Sequence, residues 1–292
     1  MKEELLTFDE ILRQESYVIC DSSLTSISGP DWYQGWVYDA RFFSEINRDI
    51  LETEIIDLKS FLEVLRNPIV FTTKGILYEL KNTRDMIGDK LKFLKKQENL
   101  VGGKNRKRLH RGDNQRILLE QILDTFYESS RQSERSVFFP GQKIQYNVLE
   151  RIVFEVTKHT DSKIDLDELY PEKRAKPKKV QDFHTDEEIV ASALYLSAVD
   201  SRIGCILTRD SDIRRILMNT LAYMSLSDVK GLYDILNTVK KNRIRIYYVT
   251  ESERGYLVFD TSEFNKGKLS RETIDLIDKE TRLLENNPFI QL

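Results

Sequence analysis

Across 292 residues, 45 Lys and Arg stand against 48 Asp and Glu, a net charge of −3 that excludes a uniformly basic nucleic-acid coat and leaves any charge-driven function local. With 40% apolar and 10% aromatic residues the chain can build a sizeable core, enough for two domains or for one domain with a large insertion. Its apolar runs, such as Ala193 to Leu196 and Ile246 to Val249, fall far short of the roughly 20 residues of a membrane span, and the acidic start Met1-Lys2-Glu3-Glu4 does not read as a secretion signal.

In chain order, Tyr17-Val18-Ile19-Cys20 reads as a buried strand that stops at Asp21, followed by a helix over Ala40 to Leu65. Ile69-Val70-Phe71 is a second strand; it stops at Thr72-Thr73 and leads into a helical stretch with Ile76, Leu77 and Leu80 on one face. From Asn82 to Phe183 the pattern is helix after helix, over Asp85 to Gln97, Gln115 to Gln132 and Ile144 to Thr157, with no strand required. Alternation then resumes: helix from Asp186 to Val199, strand Gly204-Cys205-Ile206-Leu207 stopping at Thr208-Arg209-Asp210, and helix from Ser211 to Ala222. Arg243 to Val249 alternates charged and apolar residues, as an outer strand with one wet face would. A last helix runs from Arg271 to about Leu284, with Ser270 as its cap.

Strands alternating with helices predict an α/β fold: a doubly wound, mostly parallel, Rossmann-like sheet with a large helical insertion. The expected division is a core of 1–81 and 184–260, an insertion of 82–183 and a helical extension of 261–292. Cys20 and Cys205 lie inside strand-like runs and read as reduced core residues of a cytoplasmic protein.

The insertion is locally basic. Gly88 to Arg116 holds ten Lys or Arg against three Asp or Glu, an excess of seven, and its tip runs Gly102-Gly103-Lys104-Asn105-Arg106-Lys107-Arg108. A second basic stretch, Lys173 to Lys179, is kept out of helix by Pro171 and Pro177. Arg106, Lys107, Arg108 and Arg111 are the candidate phosphate contacts. The insertion is also the expected seat for a second copy or a protein partner.

Ligands of open parallel sheets collect at the carboxyl ends of the strands. Asp21 and Asp210 follow strands, Glu79 lies on the helix after the second strand, and Asp186 opens the helix before the strand that ends at Asp210. Carboxylates without His or Cys form an oxygen-only site suited to Mg2+ or Mn2+, which can shield a phosphodiester during in-line attack. Each acid also fits a structural role: Thr185-Asp186-Glu187-Glu188 matches a capping box, Asp210 can cap the helix starting at Ser211, Asp21 suits a turn, and Glu79 a solvated flank.

Four pieces of this pattern resemble PIN-domain nucleases. Val18-Ile19-Cys20-Asp21-Ser22-Ser23 is similar to their opening strand and first acid, and Phe71-Thr72-Thr73-Lys74-Gly75-Ile76-Leu77-Tyr78-Glu79-Leu80 to their second strand and helix glutamate. Asp186-Glu187-Glu188-Ile189-Val190-Ala191-Ser192-Ala193-Leu194 resembles the family's aspartate and alanine-rich helix, and Ile206-Leu207-Thr208-Arg209-Asp210-Ser211-Asp212-Ile213 its final strand with two acids. The resemblance implies a metal-dependent nuclease acting on RNA rather than DNA, leaving a 5′ phosphate and a 3′ hydroxyl. Asp21, Glu79, Asp186 and Asp210 would be its catalytic metal ligands, Asp212 a further ligand, and Thr208 a hydrogen-bonding residue toward the nucleic acid. The 106 residues between Glu79 and Asp186 depart from compact members of the family. The alternative is a PIN-like RNA-binding or scaffold protein with little catalysis.

Trp32, Tyr33 and Trp36 follow Asp21 and suit either base stacking or anchoring of a long loop. His110, His159 and His184 lack metal-site spacing, and Gly102-Gly103-Lys104 lacks the rest of a phosphate loop, which excludes ATP binding on that motif.

Overall fold

A computed structural model describes residues 5–25, 48–100, 106–141, 143–160, 184–250, 253–265 and 267–285. In chain order its elements are β1 (Leu6–Thr7), α1 (Phe8–Gln14), β2 (Tyr17–Cys20), a 3-10 turn (Ser22–Leu24), α2 (Arg48–Leu65), β3 (Val70–Phe71), α3 (Lys74–Leu100) and α4 (Arg106–Ser136). They continue with α5 (Lys143–Thr160), α6 (Thr185–Ala198), β4 (Gly204–Thr208), α7 (Ser211–Leu226), α8 (Leu232–Asn242), β5 (Ile244–Val249), β6 (Arg254–Asp260), a second 3-10 turn (Thr261–Glu263) and α9 (Arg271–Glu285). The fold is α/β.

The sheet order is β1-β6-β5-β4-β2-β3. β3, β2, β4 and β5 run parallel, as expected, whereas β6 and β1 are antiparallel to their neighbours, so the sheet is mixed and departs from the expected arrangement at that edge. The physical reason lies in the connection after β5. Only residues 250–253 separate it from β6, too few for the dozen or more residues of a parallel crossover. β5 is therefore not an outer strand: β6 covers it, Ile244, Ile246, Tyr247 and Val249 are buried, and Arg245 pairs with the buried Glu15 at 2.9 Å.

β2 and β4 are buried along their whole length, which their continuous apolar sequences require. From β2 the chain moves to β3 on one side; after α3 to α6 it returns to β4 on the other. Strand order thus reverses between β2 and β4, the place where open sheets carry ligands, and the carboxyl ends there carry Asp21 and Asp210.

Several expected helices extend beyond their predicted limits. The stripe Ile76, Leu80, Ile87, Leu91 continues unbroken, because Lys81-Asn82-Thr83-Arg84 contains neither Gly nor Pro; α3 is one helix across the expected boundary at 82. α4 begins at Arg106, so Arg106, Lys107, Arg108 and Arg111 stand on its first turns and not in a flexible tip; their side chains lie outside the described residues. The segment Lys173 to Lys179, the aromatics Trp32, Tyr33 and Trp36, and the expected helix start at Ala40 also lie outside them.

α4 packs along α2, and α5 along α6, α7 and α9. Through Leu119, Ile122 and Phe126 of α4 and Leu149, Ile152 and Val153 of α5, these helices join the same hydrophobic core as the sheet. Each such buried side chain contributes about 1.5–3 kcal/mol. Thr273 N donates to Ser270 Oγ (3.1 Å), the expected cap of α9. Cys20 and Cys205 are free thiols, buried, and burial pushes both well above the usual thiol range. Among the described residues no helix is long and apolar enough to cross a membrane.

Candidate metal centre

Asp21 is buried where β2 ends. Thr208 Oγ1, at the end of the adjacent β4, donates to its Oδ2 at 2.7 Å, and Ser23 Oγ donates to the same oxygen. Ser23 Oγ in turn accepts from Arg209 N (2.9 Å), while Thr208 Oγ1 accepts from Asp210 N (2.8 Å). Two hydroxyls therefore tie the strand ends together around one carboxylate. Burial pushes the Asp21 carboxyl above its ordinary value; the hydrogen bonds from Ser23 and Thr208 pull it back, and the charge of Asp210 raises it.

Glu79 lies one turn inside α3 and belongs to the same network. Ser22 Oγ bridges the two acids, donating to Glu79 Oε2 and lying 3.4 Å from Asp21 Oδ1. Thr185 Oγ1, at the start of α6, donates to Glu79 Oε1 at 2.6 Å. Asp186 is the next residue, and burial pushes its carboxyl up to about 8, reinforced by the charges of Asp21, Asp210, Glu187 and Glu79. One carboxylate oxygen each from Asp186, Asp210 and Asp212 lie within 4.8 Å of one another. The Asp212 carboxyl is raised too, by burial and then by Asp210.

The sequence-expected acids Asp21, Glu79, Asp186, Asp210 and Asp212, with Thr208, thus meet at the β2–β4 switch point. Such crowding of hard oxygen donors is unfavourable while all are ionised and is relieved by a proton or a cation. Asp210 also fills its structural role, since its Oδ1 accepts from Asp212 N at 2.8 Å and caps α7.

The capping box expected at Thr185 does not form. His184 occupies the cap position in a left-handed conformation (φ 48°, ψ 40°) with no side-chain cap, and Thr185 turns its hydroxyl to Glu79. Glu188 instead reaches across to α3, accepting from Gly75 N at 2.7 Å and Lys74 N at 3.3 Å. The two helix starts approach so closely that a Cβ on Gly75 would stand 2.8 Å from Thr185 Oγ1. Glycine is needed there for space.

Ser22, Ser23, Thr185, Glu188 and Gly75 were not singled out from the sequence as site residues. The usable signal was adjacency, since each stands within five residues of an expected acid. Arg209, between two site residues, turns away from the acids: Nη1 bonds Asp57 Oδ2 on α2 at 2.9 Å.

Known protein families, curated proteins and solved structures offer no match to this chain.

Proposed function

We propose that this chain is a divalent-cation-dependent nuclease of PIN-like architecture that hydrolyses phosphodiester bonds in cytoplasmic RNA. The observation that carries the reading is the convergence of Asp186, Asp210 and Asp212 within 4.8 Å, beside Asp21 and Glu79 linked through Ser22, at a strand-order reversal. The donor set is all oxygen, which fits Mg2+ or Mn2+ and not zinc. Asp186, Asp210 and Asp212 would hold the cation directly, with Asp21 and Glu79 completing the acidic wall. A bound cation supplies charge neutralisation at the scissile phosphate.

The chain's own groups do the rest. Ser23 and Thr208 fix the Asp21 carboxylate, and Ser22 and Thr185 fix Glu79, so the acids keep their separation without a counter-charge. Without a cation, Asp186 is the group that takes up a proton near neutrality. In this reading the basic first turns of α4 contact the RNA backbone.

The test is cleavage of an end-labelled unstructured RNA and its DNA equivalent with Mn2+, Mg2+ or chelator, comparing the native chain with Asp186→Asn. Metal-dependent cutting, stronger on RNA and abolished by the substitution, is the expected result. Cutting that survives Asp186→Asn overturns the assignment. So does the absence of cutting while salt-sensitive RNA binding persists, the behaviour of an RNA-binding scaffold.

A further inference from the structure

On the other flank of the α3–α6 crossing lies a cavity of about 490 Å3, a volume usual for small-ligand sites. Its walls hold Tyr78, next to Glu79 on α3, and His184 and Glu187, which bracket Asp186 on α6; α5 supplies Arg151 and Phe154. The cavity lining and the carboxylate cluster thus draw on neighbouring residues of the same two helix starts.

The lining has two chemical characters. One is aromatic: the Phe154 ring meets the His184 ring edge-on with centroids 4.6 Å apart, the Arg151 guanidinium lies 5.9 Å over Phe154, and Tyr78 is half exposed on the facing helix. Rings and a guanidinium offered side by side are the platform on which unpaired bases stack. The other is acidic. Glu150, Glu187 and Glu188 outnumber Lys74 and Arg151, and Arg151 is already paired with Glu155 at 2.6 Å. An interior so charged repels phosphate. It accepts hydrogen bonds from a neutral ligand rich in N–H groups.

Glu188 is occupied with the amides of Lys74 and Gly75. Glu187, with His184 Nδ1 4.0 Å from its Oε1, is the acceptor beside the aromatic wall. We propose that this cavity binds an unpaired nucleobase of a single-stranded RNA, with the adjacent imino and amino hydrogens of guanine donated to the Glu187 carboxylate and Tyr78 stacking on the ring. The assignment rests on the nuclease reading of the adjoining cluster, and it makes the substrate a single strand with guanine beside the cut. Phosphates stay at the rim, and the base enters.

The experiment is fluorescence anisotropy on the full chain in EDTA, where metal-dependent cleavage is silent. The probes are a fluorescein-labelled uridine decamer, the same decamer with one central guanine, and that second strand annealed to its complement. The guanine-containing single strand binds about tenfold tighter than the uridine decamer, and Glu187→Gln removes that preference. Tyr78→Ala weakens both single strands by about tenfold. Equal binding of the two decamers, a preference that survives Glu187→Gln, or a duplex bound as tightly as the single strand overturns the proposal. Cutting without guanine preference would refute this inference alone; guanine-selective binding without cutting would refute the nuclease and leave the cavity as a binding site.

Discussion

Replacing Asp186 with Asn is expected to stabilise the cation-free chain at neutral pH and to do almost nothing in mild acid. In an unfolded chain an aspartate titrates near about 3.9; in the fold, burial and then Asp21, Asp210, Glu187 and Glu79 push Asp186 to about 8. A folded pKa above the unfolded one means that between these values the native state keeps a proton the unfolded state has released. Stability is then greatest below about pH 4 and falls as pH rises toward 8. At 1.36 kcal/mol per unit, four units set a ceiling of about 5 kcal/mol on the penalty. Neighbouring carboxyls share the proton and water reaches a partly covered cluster, which brings the expected gain at pH 7.5 to about 1–3 kcal/mol. Loss of an acid from the first turn of α6 offsets about 0.3–1 kcal/mol of that. For a chain of this size, whose unfolding entropy is roughly 0.6 kcal/mol/K, the net gain corresponds to a rise in Tm of roughly 1–4 °C. Scanning fluorimetry in EDTA at about pH 4 and 7.5 reads it. Saturating Mn2+ reverses the ranking, adding about 2.7 kcal/mol to the native chain at a hundred times Kd and much less to the variant. A variant less stable than the native chain at pH 7.5, or the same shift at both pH values, would mean that Asp186 serves the helix start and carries no burden of repulsion.

Gly75→Ala is expected to cost about 1–3 kcal/mol in a urea melt, since its Cβ would stand 2.8 Å from Thr185 Oγ1 and 3.0 Å from Thr185 Cα, backbone that cannot swing aside. Cleavage should fall further than stability because Glu79 moves with α3; unchanged activity would detach α3 placement from function. Thr208→Val leaves the buried Asp21 without one donor and the Asp210 amide without its acceptor, for a loss of about 1–3 kcal/mol by the same melt. Arg243→Ala probes the far end of the sheet. Burial alone would raise the Asp260 carboxyl, but hydrogen bonds from Arg243 and Ser262 hold it below its ordinary value. A lowered folded pKa gives stability that is present above the unfolded pKa and lost as pH falls through the folded one. The substitution should therefore cost about 1–3 kcal/mol at pH 7, reduced by the exposure of Arg243, and less near pH 3. An equal cost at both pH values would exclude the ion pair as its source.

The parts of the fold legible in the sequence are those whose burial is complete. β2 and β4 lie between helices and neighbouring strands, so their runs are unbroken apolar stretches and the acids that end them stand out. β5 is obscured in the sequence for the opposite reason. Arg245 looks like a wet-face residue in isolation, and only the fold supplies Glu15 to pair with it beneath β6. Nothing local in Arg254 to Asp260 fixes strand direction; the brevity of the link from β5 does.

Thr185-Asp186-Glu187-Glu188 shows why the site was legible as residues and not as geometry. The spacing of a capping box fits this stretch, yet spacing specifies only which groups are able to bond, not which bonds win. Glu188 finds the amides of Lys74 and Gly75, across 113 residues for its shorter bond, and Thr185 finds Glu79 across 106. Both choices serve one end. Held by a local box, the start of α6 would be complete in itself and indifferent to α3; held by Glu188 and Thr185, the two helix starts are locked together. The carboxylates that repel one another, Glu79 and Asp186, are then set by neutral hydroxyls and backbone amides at a fixed separation. A helix start that surrenders its own cap to brace another is poor economy for stability alone, and its left-handed His184 adds strain of about 1–2 kcal/mol. It is the arrangement expected where the position of an acid matters more than the stability of its helix.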